Sequence, residues 1–175
     1  MDLRIAGIVK DSVVDGPGFR LVIFTQGCYH NCLGCHNSET HDPAGGKMIH
    51  TDEIMNMIVA SKLIRGVTFS GGEPFLQAKA LALLAEKIKA RGLNIVTYSG
   101  YLFEQLLAMG VQRPDVKELL YHTDILVDGP FQLEKRDLRL AFRGSTNQRL
   151  IDVPSSLRSG HVVLWDELQP ICSNA

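Results

Sequence analysis

The segment "GVTFSGGEPFLQAKALALLAEKIKARGLNIVTYS", residues 66–99, decides the fold. It opens with a short apolar, β-branched run typical of a buried strand, and residues 93–99 form a second such run. Between them, residues 76–92 predict a helix with Leu81, Leu84 and Ile88 on one face and Gly92 as its stop. A strand, a helix and a strand in this order predict a parallel βαβ unit.

The same alternation continues on both sides of this unit. Strands are predicted at residues 20–25 and 124–129, and the final third predicts one or two more, around "RLIDV" and "HVVLW". Helices are predicted over residues 51–63, 102–110 and from residue 114, with Thr51 as an N-cap. No linker or low-complexity tract divides the chain, so we expect one α/β domain over residues 1–175.

Four of the predicted strands end in unusual turns: "TQGC", "SGGEP", "TYSGY" and "VDGPF". The carboxyl ends of parallel strands meet at one edge of a sheet or barrel, where ligands bind. The sequence therefore predicts a single functional face that carries all four turns.

The composition is that of an ordinary globular protein. Of 175 residues, 45% are apolar and 21% charged, and the net charge of −1 gives no reason to expect a nucleic-acid or membrane partner. The start of the chain carries Asp2 and Arg4 and has no long apolar run, so we expect no signal peptide and a reducing, cytoplasmic location. Cys172, in the polar tail, is interpreted as an incidental surface thiol.

The other three cysteines, Cys28, Cys32 and Cys35, lie in the loop "TQGCYHNCLGCHN", residues 25–37. A structural zinc site with His30 or His36 as its fourth ligand is one interpretation. Three buried structural cysteines are another, and an electron-transfer cluster is a third, although such clusters normally have four cysteine ligands. The fourth is a [4Fe-4S] cluster with one iron left open, and an open position is typical of catalytic metal sites.

The loop resembles a known family when it is taken with its surroundings. The C-x3-C-x2-C spacing after the first predicted strand, with "GGE" at residues 71–73 after the next, is similar to the radical S-adenosylmethionine enzymes. The longer string "VDGPGFRLVIFTQGCYHNCLGCHN", residues 14–37, resembles the activating proteins of glycyl radical enzymes. The resemblance implies a partial, open (β/α) barrel of parallel strands with helices outside.

The resemblance also implies a mechanism and its cofactors. Cys28, Cys32 and Cys35 are the implied cluster ligands, and S-adenosylmethionine chelates the open iron. Reductive cleavage then gives a 5′-deoxyadenosyl radical that takes a hydrogen atom from the target, so the cofactors carry the difficult chemistry.

Further residues receive implied cofactor-binding roles. Gly71, Gly72 and Glu73 match the element that holds the methionine amino group, and a carboxylate complements an ammonium group. Ser99 and Asp128 resemble positions that line the methionine and ribose pocket, and Asp128 is also a candidate ligand for a monovalent cation.

Near the third cysteine the sequence departs from the family. Gly34 stands beside Cys35 where many members carry an aromatic side chain that touches adenine, so that contact must come from the backbone or from His36. The "DGPG" turn at residues 15–18 is a general turn signal, and the resemblance implies that this turn or Arg20 contacts the target protein.

The resemblance extends to the choice of target. The string "DILVDGPF" followed by "FRGSTNQRLIDV", residues 142–153, is most similar to activating proteins of the anaerobic, class III ribonucleoside-triphosphate reductases. The implied substrate is a glycine of the large reductase subunit, with a flavodoxin-like electron donor. An activating enzyme of pyruvate formate-lyase and a zinc-stabilised binding module are the alternatives. The role of residues 143–149 stays open at this point.

Overall fold

The computed structural model describes residues 1–166, so Cys172 and its predicted exposure lie outside the described residues. The strands are Asp2–Ser12 (β1), Arg20–Thr25 (β2), Lys47–His50 (β3), Gly66–Gly71 (β4), Asn94–Tyr98 (β5), Ile125–Asp128 (β6) and Arg149–Asp152 (β7). The α-helices are Thr51–Ala60 (α1), Ala78–Lys89 (α2), Phe103–Gly110 (α3), Pro114–His122 (α4) and Val153–Ser159 (α5). Short 3-10 turns occupy Ser38–Thr40, Pro74–Gln77 and Leu133–Lys135. Within residues 1–166, no helix combines the length and the apolar character that a membrane crossing requires.

The described strands form a single sheet in the order β3-β1-β2-β4-β5-β6-β7. Its four central strands, β2, β4, β5 and β6, run parallel to one another. At the two edges the pairing is antiparallel, between β1 and both β2 and β3, and between β6 and β7. The predicted α/β class is confirmed, and the sheet is mixed. Curvature into a partial barrel stays a prediction.

Alternate residues of each strand face opposite sides of the sheet. On one side, Leu21, Val67 and Ile95 pack into a core with buried residues of all five described α-helices. We call this side the helix face. The other side, called the cavity face, carries a smaller cluster of Val96, Ile125, Val127 and Leu150, against which Tyr98, Phe142 and Trp165 pack. The α-helices in the described part of the chain therefore bury their apolar stripes on one side only.

Most predicted elements are confirmed, with shifted ends. The predicted helix at 51–63 ends at Ala60, and the predicted helix at 76–92 is a 3-10 turn followed by α2. Thr51 is the first residue of α1 and not its N-cap, and its hydroxyl accepts a hydrogen bond from the amino terminus. His50 takes the capping position, and its Nδ1 accepts from the backbone N–H of Asp52 at 3.3 Å.

The sequence did not predict β1, β3 or α5. β1 is long, but much of it is exposed and its burial does not alternate cleanly, because bulges interrupt its register with β2. β3 has four residues and α5 has seven, too few for a hydrophobic period to be visible. The predicted strand at "HVVLW" is reduced to an isolated bridge between Ile151 and Leu164.

Candidate metal centre

The cysteine loop leaves the carboxyl end of β2 and is fixed by backbone hydrogen bonds. The N–H of Gly27 donates to Thr40 O at 2.8 Å, and the N–H of Cys28 donates to His41 O at 3.1 Å. The side-chain amide of Gln26 donates to the backbone oxygens of Glu39 and Asp42, at 3.1 and 2.7 Å. The chain entering the first cysteine is thus held before any metal binds.

The three cysteines of this loop line one cavity of about 120 Å³, which we call the inner lobe. Gly71, Gly72 and Ser99 line the same lobe, as do Gly129 and Phe131. These residues lie at or just after the carboxyl ends of four parallel strands, β2, β4, β5 and β6. The functional residues therefore meet at one edge of the sheet, as expected from the sequence. All three thiols are free and partly exposed.

A larger cavity of about 430 Å³, called the outer lobe, adjoins the inner one on the cavity face. The two lobes share several lining residues, among them Cys35, Ser70, Tyr98 and Phe131. His36 lines the outer lobe. Together the lobes form a continuous cleft from the cysteines outward, and the outer lobe falls within the usual size range of small-molecule sites.

The chemistry of the cysteines fits an iron–sulfur cluster. Burial raises the pKa of the Cys28 and Cys35 thiols above their ordinary value, so both stay protonated until a metal ion stabilises the thiolate. Within residues 1–166, no three His, Cys, Asp or Glu side chains converge on one point as a single metal ion requires. A cluster binds each cysteine at a different iron and does not need that convergence.

Glu73, predicted to bind a cofactor ammonium group, is almost completely buried and hydrogen-bonded within the protein. Its Oε1 accepts from the backbone N–H of Phe75 at 3.0 Å, and its Oε2 accepts from the N–H of Gly100 at 2.9 Å. The Ser99 hydroxyl lies 3.0 and 3.1 Å from the two oxygens, and His30 Nε2 lies 3.0 Å from Oε2.

This Glu73 network joins the cysteine loop to the turns that follow β4 and β5. A carboxylate offers about four acceptor sites, and the donors of Phe75, Gly100, Ser99 and His30 fill them. The carboxylate does not line the inner lobe. The ammonium role of Glu73 stays a prediction, and it would require one of these donors to be displaced.

Gly71 and Gly72 allow two strand ends to approach closely. A Cβ on Gly72 would lie 2.4 Å from the backbone oxygen of Gly27, the residue before Cys28. Gly71 has φ of +90°, and a Cβ there would lie 2.7 Å from Phe24 Cα. The hydrogen bond from Gly72 N to Thr25 O, at 2.8 Å, fixes this approach. The close packing of the two strand ends therefore explains why glycine stands at both positions, without reference to a ligand.

Asp128 lies on the helix face, and its carboxylate is buried away from both lobes. It accepts from the N–H of Phe103, the first residue of α3, at 2.8 Å, and from Arg149 Nε at 3.0 Å. Arg149 also donates to Glu104. A guanidinium thus occupies the place beside Asp128 where a monovalent cation was expected. The predicted contacts of Asp128 with cofactor and cation stay predictions.

The turn around Gly34 carries no side chain that could stack on adenine. Gly34 has φ of +73°, and a Cβ there would lie 3.0 Å from Leu133 Cδ1. His36, the predicted substitute, lies beside Phe131, with 5.2 Å between ring centroids. Phe131 lines both lobes, so it joins His36 as an aromatic surface available to a ligand.

Residues 131–148, here called the cover segment, run along the cleft from Phe131 to Gln148, and both residues line the two lobes. The Gln148 side chain accepts from the backbone N–H groups of Gly144 and Ser145 and donates to Gly129 O. Asn147 Nδ2 donates to Pro130 O at 2.8 Å. The "GSTNQ" string therefore fixes the cover segment to the turn after β6.

Tyr98 connects the cover segment to the sheet. Its hydroxyl donates to Phe142 O at 2.7 Å. Burial raises the pKa of Tyr98 well above its ordinary value, so the hydroxyl remains a neutral donor at any physiological pH.

Arg20 has a structural role, which corrects one half of the prediction that Arg20 or the turn at residues 15–18 contacts the target; the contact of the turn stays a prediction. The side chain is fully buried and donates to Thr68 Oγ1, to Asn94 and to the backbone oxygens of Pro17 and Val67. Burial lowers the pKa of Arg20 to about 10, which leaves it charged at neutral pH. Arg20 thus fixes the turn at residues 15–18, and Asp15 of that turn lines the outer lobe.

Sequence reasoning missed several residues of this region. His30 was considered only as a zinc ligand, yet its Nε2 contacts Glu73 and its ring packs on Tyr101 with 4.5 Å between centroids. Phe131 and Arg149 were not identified as site residues. The only available signal for them was proximity to the predicted strand ends, since their partners lie far away in the chain.

Comparison with known proteins gives the family. A profile described as "4Fe-4S single cluster domain" matches residues 14–151. An anaerobic ribonucleoside-triphosphate reductase-activating protein of Vibrio cholerae is 34% identical over 145 residues, covering 78% of this chain and 89% of the relative. A protein with the same description from Enterobacteria phage T4 is 31% identical over 143 residues, covering 78% and 86%.

A second group of relatives is longer than this chain. The pyruvate formate-lyase 1-activating enzyme of Escherichia coli K12 is 31% identical over 170 residues. That alignment covers 93% of this chain but only 65% of the relative.

Proposed function

We propose a function from the premise that this chain belongs to the 4Fe-4S single cluster domain family and, with its relatives, to the radical S-adenosylmethionine activating proteins of glycyl radical enzymes. The protein is an activating enzyme that cleaves S-adenosylmethionine reductively and removes a hydrogen atom from a glycine of the anaerobic ribonucleoside-triphosphate reductase. The glycyl radical of the reductase is the product. The observation that carries the proposal is the inner lobe, in which three free cysteines meet the glycine-rich strand ends.

The descriptions of the first relatives and the string at residues 142–153 favour the reductase as the target. The alignments cover 86% and 89% of the two reductase-activating relatives but 65% of the pyruvate formate-lyase relative. The aligned part of this chain thus matches nearly the full length of the first group and about two thirds of the second. A pyruvate formate-lyase-type target is the alternative within the family. The "4Fe-4S" description of the matching profile favours a cluster over the zinc-stabilised module.

Cys28, Cys32 and Cys35 would hold the [4Fe-4S] cluster, which with S-adenosylmethionine supplies the one-electron chemistry for breaking a C–H bond. The backbone bonds of the cysteine loop and the Glu73 network orient the three thiols beside Gly71 and Gly72. Phe131 and other residues of the cover segment line both lobes and would bound the space around the cofactors.

The remaining predicted roles are part of the same proposal. Gly34, Cys35 and His36 lie at the junction of the loop with the cover segment and would contact the adenosine part of the cofactor. Gly71, Gly72, Glu73 and Ser99 would surround the methionine part, and the predicted contact of Asp128 with the methionine and ribose part would require Arg149 to release it. The proposal also includes a single catalytic domain, a flavodoxin-like electron donor and a cytoplasmic location.

A polypeptide substrate needs a side entrance to the cleft. The α-helices pack on the helix face, whereas the outer lobe opens on the cavity face, which is consistent with an open partial barrel. We therefore expect the glycine-bearing loop to enter through the outer lobe and reach the cofactors at the inner lobe.

Electron paramagnetic resonance of the anaerobically reconstituted, reduced protein tests the proposal. A [4Fe-4S] signal should change shape when S-adenosylmethionine is added, and mixing with the reductase should give a glycyl radical. The Cys32→Ala variant should lose both the cluster and cofactor cleavage, whereas the Cys172→Ala variant should keep them. A cluster that ignores S-adenosylmethionine, or cleavage retained without Cys32, would refute the assignment.

A further inference from the structure

Arg143, which lines the outer lobe, has a buried hydrogen-bond donor without a partner in the described part of the chain. Of the buried side-chain nitrogen and oxygen atoms in residues 1–166, two have no hydrogen-bond partner, Arg143 Nε and Asn147 Oδ1. Unpaired buried donors are rare, because each costs free energy. Arg143 lines the outer lobe, so a ligand there could supply the missing acceptor.

The orientation of the Arg143 guanidinium is fixed by one of its other nitrogens. Nη1 donates to Gln148 O at 2.9 Å, and Gln148 is itself held by the backbone N–H groups of Gly144 and Ser145. In the described part of the chain no acceptor takes a hydrogen bond from Nη2. Nε and Nη2 form one edge of the planar guanidinium, and two parallel N–H groups on such an edge match the two oxygens of a carboxylate.

Within residues 1–166, the ion pairs formed around the outer lobe do not include Arg143. The Asp15 carboxylate accepts from the Ser12 hydroxyl, and Asp137 forms an ion pair with Arg139. An anion that enters the lobe is therefore attracted to Arg143 and repelled by Asp15, which gives it one preferred place.

We propose that the Nε/Nη2 edge of Arg143 binds a carboxylate of the protein substrate, carried by an acidic side chain or the chain terminus near the target glycine. This inference rests on the proposed function. S-adenosylmethionine also has a carboxylate, but that group is expected at the open iron, and the cysteines Cys28 and Cys32 line only the inner lobe. The protein substrate is the ligand expected in the rest of the outer lobe, beside the adenosine part of the cofactor at Cys35 and His36.

The test uses anaerobic holoenzyme with S-adenosylmethionine and two synthetic peptides. Both copy the glycine-bearing C-terminal segment of the anaerobic reductase from the same organism. One keeps its free carboxylates, and in the other they are replaced by amides. Calorimetric titration should show that the wild-type enzyme binds the first peptide about 10- to 100-fold more tightly, as expected for a hydrogen-bonded charge pair.

Substitutions assign this preference to Arg143. In Arg143→Gln the two peptides should bind with nearly equal affinity, and Arg143→Lys should keep only part of the preference, because its charge lacks the two-pronged edge. Arg136→Gln is the matched control, since Arg136 lies in the same segment but is exposed and lines neither lobe, and it should behave as wild type. Thermal melts of each variant report whether the loss of the bond to Gln148 disturbs folding.

The concentration of S-adenosylmethionine that half-saturates the change in the cluster spectrum separates the two sources of a carboxylate. It should be the same in Arg143→Gln and wild type. A higher value with the peptide preference intact would mean that Arg143 serves the cofactor, and would overturn the inference. A wild-type cluster that ignores S-adenosylmethionine contradicts the proposed function. Equal affinity of both peptides for a responsive wild-type enzyme contradicts the Arg143 inference alone.

Discussion

Replacing Glu73 by Gln tests whether this residue is part of the scaffold or a free ligand for the cofactor. The substitution preserves the shape of the side chain but turns one acceptor oxygen into an NH2 group. Phe75 N–H donates to one carboxylate oxygen and Gly100 N–H to the other, at 3.0 and 2.9 Å. In either orientation, the new NH2 group therefore faces a buried backbone N–H and leaves it without an acceptor.

The magnitude follows from the bonds that are lost. One backbone bond to a charged acceptor disappears, and the bonds from Ser99 and His30 are weakened because the remaining acceptor is neutral. Bonds to charged groups contribute about 1.5–3 kcal/mol each, and an orphaned buried donor costs a similar amount. Because such terms are not additive, we expect the free energy of unfolding to fall by about 3–5 kcal/mol.

Urea denaturation of the cluster-free protein measures this effect apart from the cofactors. Glu86→Gln is the matched control, because Glu86 is an exposed residue of α2, and its free energy of unfolding should change by less than about 0.5 kcal/mol. If Glu73→Gln costs under about 1 kcal/mol while cofactor binding is lost, the Glu73 network is refuted and the carboxylate serves the cofactor.

Two further predictions concern the approach of the strand ends and an ion pair. Gly72→Ala places a Cβ 2.4 Å from Gly27 O, so the backbone before the first cysteine must move. We expect the free energy of unfolding, measured by urea denaturation, to fall by about 1–3 kcal/mol, and the iron content after reconstitution to be lower. Unchanged values of both would contradict the close approach. The hydrogen bond from Arg149 holds the pKa of Glu104 below its ordinary value. The lowered pKa means that the ionised Glu104 stabilises the folded state. This stabilisation is fully present above the unfolded pKa of about 4.3 and is lost as the pH falls through the folded pKa. The free energy of unfolding should therefore decline more steeply below about pH 4.3 in the wild type than in Glu104→Gln, and equal slopes would refute the linkage.

The sequence predicted the part of the fold that has a clear hydrophobic period. α2 repeats apolar residues over 12 positions, and each central parallel strand is a compact apolar run. β1 was missed because its outer half is exposed, and α5 because Pro and Ser dominate a seven-residue helix. Local pattern thus identified the parallel core, while the edges depend on pairings that no short window contains.

The candidate site also has features that the sequence predicted and features that it did not. The cysteine spacing and the glycines after β4 were visible as strings, and the structure brings them to one cavity. The partners of the buried acids were not visible, because His30 lies 43 residues from Glu73, and Arg149 lies 21 residues from Asp128. The residue type alone indicated a role for these two carboxylates in the site. Only the tertiary structure shows which groups donate hydrogen bonds to them.

The α-helices of residues 1–166 all pack on one face of the sheet, and this arrangement affects how a partner reaches the site. A folded reductase cannot be threaded through a narrow pore, so an enzyme enclosed on all sides would need a hinge that opens at each turnover. Here the outer lobe lies on the opposite face, and a partner can meet it by surface docking alone. We expect partner exchange to follow ordinary diffusional encounter kinetics, with its rate set by ionic strength and viscosity.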